Sequence, residues 1–361
     1  MKDDAHYMRR ALRLADKGRG RIGDGALVGA VLVRRGQIVG EGAHLQAGGP
    51  HAEVHALQKA GTRARGATLY VTLEPCAHFG KTPPCSQALI AAGVERVICA
   101  VEDPDPRVSG QGFAQLRAAG IKVEIGLLRA EAERRNAAFL KHRRSGRPWV
   151  VLKLAQTLDG RIATAGGDAR WISGEQSRRH AHRWRSWVSA VAVGAGTVVA
   201  DDPQLNVRHV KGPPPRPLVV DGRLRVAPDA RVFQHNNPIL ATSAAAPSAP
   251  FAARGVEVWS FEAPDHHIDL CQLADRAGQH GLTSVLIEGG GQLAAAALRR
   301  RVVDQVMVFI APRLMGSGIA AIADLDVHSV DQTIQLDDVR LRRLGPDVLY
   351  TAEVKYPCSL A

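Results

Sequence analysis

The chain reads Pro50-His51-Ala52-Glu53-Val54-His55 and, after a strand-like run, Glu74-Pro75-Cys76-Ala77-His78-Phe79-Gly80-Lys81-Thr82-Pro83-Pro84-Cys85. One His, a Glu two residues on and two Cys that each follow a Pro are the parts of a catalytic zinc site, in which three protein ligands leave a fourth position open to water. A bound zinc brings that water's pKa to about 7. Glu53 is too close to His51 to ligate the same ion and is placed to shuttle protons. Pro50 can open a helix with His51 and Glu53 in its first turn, and Pro83-Pro84 precedes a helical run from Cys85 to Ala92 that Gly93 stops. Both ligand groups then lie at helix N-termini, whose positive dipole ends favour thiolates. From these residues alone two other readings stay open. One is a structural zinc with His55 or His78 as fourth ligand; the other is a metal-free pair of buried cysteines. His55 falls one turn after His51 but lacks the His-Glu-x-x-His order of metalloproteases, so it reads as a core residue or one that supports a ligand.

Outward from this stretch, Asp4 to Lys17 has helical periodicity, and Ala26–Val33 with Gln37–Ala43 reads as a β-hairpin. A strand over Ala67–Thr72 delivers Cys76. Further strands at 96–102 and 122–126 and a helix near 111–119 complete a pattern that predicts a sheet between helix layers. Ligands of such sheets bind outside the carboxyl ends of strands. Arg143-Arg144-Ser145-Gly146-Arg147-Pro148 reads as a linker, dividing the chain into domains 1–146 and 147–361. Strands are expected after it at 149–155, 190–194, 218–221, 239–242, 284–288 and 306–311, again interleaved with helices. Ile287-Glu288-Gly289-Gly290-Gly291-Gln292-Leu293 reads as strand, glycine turn and helix N-terminus, presenting backbone N–H groups to phosphate, although a plain tight turn gives the same letters.

Composition narrows the function classes. Hydrophobic residues make up 45% and aromatics 4%, so the cores rest on Ala, Val, Leu and Ile. Five cysteines with two assigned to metal leave no disulfide framework, and Cys99 reads as a small core residue. A charged N-terminus and the lack of a long apolar run point to a cytoplasmic protein with no membrane partner. The net charge of +12 is uneven: residues 1–146 hold 23 Lys/Arg against 14 Asp/Glu. Such a surface attracts nucleic acid or phosphorylated metabolites. Single-strand binders need stacking aromatics, which are scarce here, so no nucleic-acid partner is expected.

The His-x-Glu and Pro-Cys elements match the zinc signature of nucleobase deaminases, with eight residues between the cysteines instead of two. That long loop, with Gly49-Pro50-His51-Ala52-Glu53, Leu73-Glu74-Pro75-Cys76 and Asp103-Pro104-Asp105-Pro106-Arg107-Val108-Ser109-Gly110-Gln111-Gly112, resembles the deaminase domain of the bacterial bifunctional riboflavin-biosynthesis family. The second half carries the reductase motifs of that family in order: Lys153-Leu154-Ala155-Gln156-Thr157-Leu158-Asp159-Gly160-Arg161, Arg170-Trp171-Ile172-Ser173, Gly194-Ala195-Gly196-Thr197 through Asp201, and the Glu288 turn. The resemblance implies two α/β domains: a cytidine-deaminase-like α/β/α layer domain and a dihydrofolate-reductase-like domain. It implies zinc on His51, Cys76 and Cys85, with Glu53 relaying protons, and His44, His78 and Lys81 around a phosphoribosyl-pyrimidine substrate. Zinc hydroxide would remove the 2-amino group; NADPH would then reduce the ribosyl group to ribityl. NADPH contacts would fall to Ala155, Trp171, Thr197, Asp201, Gly222, Gly290, Gly291, Gln292, Leu293, Ala294, Ala295 and Ala296. Substrate contacts would fall to Lys153, Ala169, Arg185, Leu205, Arg208 and Glu288, the two arginines suiting a phosphate. A homo-oligomer, dimer or tetramer, is also implied.

The chain departs from the family at Gly25, where Asn is usual, and at Ala169 and Gly222, where Ser is frequent. A lost bond to a neutral substrate group costs on the order of 1 kcal/mol, unless Asp24 substitutes from one position away. A reductase with a silent deaminase half and a nucleic-acid-editing deaminase are the alternative functions. A core aromatic is the plain reading of Trp171, and a solvated helix face that of Arg185.

Overall fold

The computed structural model describes residues 3–79, 83–105 and 109–357. It divides into two compact units, Met1–Gly146 and Arg147–Ala361. Lys81 and Cys358 lie outside the described residues.

The first unit opens with α1 (Asp4–Ala15), capped at its N-terminus by the Asp3 carboxylate, which accepts the His6 N–H. The hairpin β1 (Gly29–Arg34) and β2 (Gln37–Ala43) follows, then α2 (Ala52–Ala60) and β3 (Thr68–Val71). Next come α3 (Cys85–Ala91), β4 (Arg96–Cys99), α4 (Gln111–Ala118) and β5 (Lys122–Ile125). Helices α5 (Arg129–Arg135) and α6 (Ala137–Ser145) close the unit. The sheet runs β2-β1-β3-β4-β5, with β1 antiparallel to both neighbours and β3, β4 and β5 parallel. Strand alternation sends Val31 and Val33 to the α1 face, and Ala30 and Leu32 to the face covered by α2, α3 and α4. Gly42 lets α2 lie directly on β2: a Cβ there would sit 1.9 Å from the Ala52 carbonyl oxygen. This close approach brings the start of α2 to the sheet. The expected linker is shorter than its charge suggested. Arg143, Arg144 and Ser145 form the last turn of α6, and the chain leaves the helix at Gly146, whose φ of +72° suits glycine.

The second unit begins with β6 (Trp149–Thr157), β7 (Arg161–Thr164), α7 (Glu175–Arg185), β8 (Ala190–Gly194) and α8 (Ala195–Asp201). β9 (Arg216–Val220), β10 (Ile239–Ser243), α9 (Ala249–Ala252), β11 (Glu257–Phe261) and α10 (Leu270–Gln279) follow. It ends with β12 (Ser284–Glu288), α11 (Gly291–Arg299), β13 (Gln305–Ala311), β14 (Gly318–Ala320), β15 (Gln335–Leu344) and β16 (Asp347–Lys355). A nine-stranded sheet runs β11-β10-β9-β8-β12-β6-β13-β16-β15; its first seven strands are parallel and the last two antiparallel. One face packs on α10 and α11, the other on α7, α8 and α9. The carboxyl ends of β8, β12 and β6 therefore lie side by side, where parallel sheets bind ligands. Among the described residues no helix is long and apolar enough to cross a membrane.

Candidate active sites

The first site grows from two chain entries into helices. His51 is the N-cap of α2 in extended backbone (φ −72°, ψ 165°) and not part of its first turn; Glu53 sits inside that turn. The helix thus starts at Ala52, one residue later than the motif suggested. Cys85 is the first residue of α3, after Pro84. Cys76 follows β3 in the loop that the α3 N-terminus meets. His51 Nδ1 lies 3.5 Å from Cys76 Sγ and 3.4 Å from Cys85 Sγ. Zinc–nitrogen and zinc–sulfur bonds of about 2.0 and 2.3 Å at a tetrahedral angle put nitrogen and sulfur about 3.5 Å apart, so this donor set fits the ion. These three residues are the one group of metal-binding character among the described residues, so neither His55 nor His78 completes a four-ligand shell.

The electrostatics suit thiolates. The Cys85 backbone N–H, at the positive end of α3, donates to Cys76 Sγ at 3.3 Å. Hydrogen bonding with Cys85 and His51 holds the Cys76 thiol down at about 4, while the proton shared with Cys76 pushes Cys85 up. Glu53 is buried beside them, and burial raises its carboxyl to about 7. His44 stacks edge-on to His51 with ring centroids 5.4 Å apart. Its Nε2 is buried without a partner, a polar atom left for something that enters the site. Gly25 adjoins that ring, a Cβ there meeting His44 Cε1 at 3.5 Å, whereas Asp24 is exposed. His78 is exposed.

Glu74, two residues before Cys76 in the motif, is buried. Its buried carboxylate accepts four backbone N–H groups, from Asp103, Gly110, Gly112 and Phe113, at 2.9–3.3 Å. Burial pushes its pKa up and those bonds pull against it. It thus ties the Asp103–Phe113 stretch to the loop that carries Cys76. Only the Glu-Pro-Cys order hinted at it.

In the second unit, Lys153 and Glu288 are register partners across β6 and β12. Glu288 binds Arg185 through both oxygens (2.7 and 2.9 Å), with Lys153 Nζ at 3.7 Å. Burial alone would raise the Glu288 pKa, yet the two cations bring it to about 2. Burial lowers the pKa of Lys153, opposed by Glu288. Arg185 is therefore neither on a solvated helix face nor free to fork a phosphate: its remaining nitrogen, Nη1, donates to Asn206 O at 3.1 Å. Arg208 is exposed. Leu205, at φ +50°, buries its side chain in the core.

Neighbouring β8 and β12 bring the starts of α8 and α11 together, where Thr197 Oγ1 accepts the Gly290 N–H at 3.1 Å. No side chain caps α11, whose first residue Gly291 is buried and whose second, Gln292, is exposed. Within the Gly290–Ala296 run Ala294 and Ala295 are also buried, and Leu293 and Ala296 pack on the core. Trp171 is 61% exposed, with the Arg178 guanidinium 4.7 Å above its ring, so it is no core aromatic. Arg170 reaches Asp201 at 3.5 Å, bringing the Ala169–Trp171 loop to the end of α8. Ala155 lies opposite Phe309 on β13. Gly222 follows β9, and a Cβ on it would come 2.0 Å from the His266 carbonyl oxygen. The glycine therefore costs more than a hydroxyl: the 263–267 loop fills the space a serine would use.

Comparison with known proteins agrees with both halves. Residues 1–101 match the cytidine and deoxycytidylate deaminase zinc-binding region, and residues 148–350 the RibD C-terminal domain. The riboflavin biosynthesis protein RibD of Escherichia coli is 41% identical, across 96% of this chain and 98% of its own. That of Aquifex aeolicus is 39% identical over 96% and 97%. Acinetobacter baumannii RibD superposes with a TM-score of 0.88 at 36% identity, covering 98% and 99%. A Thermotoga maritima diaminohydroxyphosphoribosylaminopyrimidine deaminase/5-amino-6-(5-phosphoribosylamino)uracil reductase gives 0.83 at 35%, covering 98% of each.

Proposed function

We propose a function on one premise: this chain belongs to the riboflavin biosynthesis protein RibD family, bifunctional enzymes with a deaminase and a reductase domain. Our reading is that it hydrolyses the 2-amino group of 2,5-diamino-6-(5-phosphoribosylamino)pyrimidin-4(3H)-one, releasing ammonia, and then reduces the ribosyl group of the product to ribityl with NADPH. The observation that carries the first step is the convergence of His51, Cys76 and Cys85 beside the buried Glu53. Zinc held by those three supplies an activated water at neutral pH. Glu53, with its raised pKa, takes a proton from the attacking water and returns it to the leaving amine. His44, through its unpartnered Nε2, orients the pyrimidine. Because ligand thiols must stay reduced, a reducing compartment such as the cytoplasm fits this chemistry.

For the second step NADPH supplies the hydride that C1′ receives. The helix starts joined by Thr197 and Gly290, with the exposed Trp171, would hold that cofactor. Lys153, buried beside Glu288, protonates the ring oxygen as the C1′–O bond opens. Arg208, exposed at the same end of the sheet, receives the ribose phosphate.

A second reading, a reductase with a silent first domain, is favoured by one observation: Gly25 offers no side chain beside His44. Ammonia release by zinc-loaded protein without NADPH decides between them. Stoichiometric ammonia followed by NADPH oxidation supports both steps; NADPH oxidation only with pre-deaminated substrate supports the second reading.

A further inference from the structure

The segment that carries Arg208 holds three non-glycine residues at positive φ: Asp202 (39°), Leu205 (50°) and His209 (64°). Each lies in a sparsely populated backbone region and persists only where the surroundings hold it. Helix α7 does the holding. Arg185 Nη1 donates to the Asn206 carbonyl, and the Arg208 backbone N–H donates to His182 Nδ1 at 3.0 Å. His182 and Arg185 are three residues apart, hence on one face of the helix. Arg185 is itself clamped by Glu288. His182 has no part in the function proposed above.

The ring is suited to accept. It is buried, and burial, then the charge of Arg185, pull its pKa to about 4. Glu288 opposes this, while Arg208 and His209 add to it, and the His209 ring packs against it at 5.1 Å. The imidazole is thus neutral through the physiological range, with its Nδ1 lone pair on the Arg208 N–H and its proton on Nε2.

We propose that His182 is a positioning residue of the reductase, accepting the Arg208 N–H and so aiming the Arg208 guanidinium at the substrate's phosphate. This rests on the assignment of Arg208 to that phosphate. Arg208 extends a long arm from a strained loop, so a small rotation at its Cα is magnified at the guanidinium. In a substrate clamp a misplacement of about 1 Å can cost on the order of 100-fold.

The test uses the full-length protein with NADPH and two substrates, the deaminated ribotide and its dephosphorylated riboside. His182→Leu is expected to raise KM for the ribotide about tenfold, the effect of one lost hydrogen bond, with kcat within about twofold and the riboside unaffected. His182→Asn, whose Oδ1 can replace Nδ1, should recover most of the loss. Arg208→Ala should raise the same KM further, and adding His182→Leu to it should change nothing more. A His182→Leu loss that is equal for both substrates, or that adds in full to that of Arg208→Ala, overturns the proposal while leaving Arg208 on the phosphate. An Arg208→Ala enzyme with unchanged ribotide KM instead removes the assignment beneath it. Should His182→Leu fail to fold, His182→Asn and His182→Gln decide: wild-type KM in the first and a raised KM in the second uphold the proposal, and equal values sink it.

Discussion

The two candidate sites are built in opposite ways. The metal-binding trio and Glu53 come from a span of 35 residues, 51 to 85, and three of the four sit at the starts of α2 and α3. The reductase cluster draws Lys153, Arg185, Asn206, Arg208 and Glu288 from β6, α7, a strained loop and β12. Metal chemistry dictates side-chain types at short spacing. The second cluster rests instead on charges that a whole sheet must bring together. The first kind of site stands or falls by single atoms; the second shares its load.

The sharpest break of that contrast is Cys85→Ser. It should abolish zinc binding, measured by metal content, and lower ammonia release on the order of a thousandfold, while NADPH oxidation with deaminated substrate stays intact. Next, Glu53→Gln should retain zinc and lose about 10²- to 10⁴-fold in ammonia release. Ammonia release at the wild-type rate would remove Glu53 from proton transfer.

Glu288→Gln probes the distributed site. It leaves Arg185 and Lys153 buried without their counter-charge, and breaking such a group costs about 3–5 kcal/mol. Urea unfolding should show that loss. The pH dependence follows from the depressed pKa of about 2. The Glu288 contribution is complete above the free carboxyl value of about 4.3 and is lost as pH falls towards 2, so the gap between wild type and variant should narrow over that window. A gap constant with pH would mean the carboxylate charge is not what stabilises the unit.

The smallest effect is expected at Gly25→Asn. Gly25 does not have a positive φ, and a Cβ there meets the Ile22 carbonyl oxygen at 3.1 Å, a tight but single contact. We expect unchanged zinc content and a change of up to about tenfold in KM for deamination, the scale of one hydrogen bond. No change would mean that Asn at this position does nothing for substrate binding.

Much of this was legible beforehand. Continuous apolar runs placed β6, β8, β10, β12 and β13 to within about two residues, because buried parallel strands are written in Val, Ile, Leu and Ala. The metal-binding trio was readable because zinc draws its ligands from a short list of side chains, with His and Cys prominent among them. The misreadings arose where one letter serves two environments. Arg143-Arg144-Ser145 reads as linker or as helix end, and Pro50-His51 as the first turn of a helix or as the residues that precede it.

What the sequence by itself determined is thus the donor set, the two-domain α/β order and the glycine turn, all properties of local spacing. Tertiary structure decided that Arg185 is spent on Glu288, that Glu74 gathers four amides from residues 103–113, and that His182 holds Arg208. Each of these depends on a partner at least 26 residues away. Long-range pairings of charge and lone pair leave no periodic trace in the chain; they exist only once the sheets have brought their ends together.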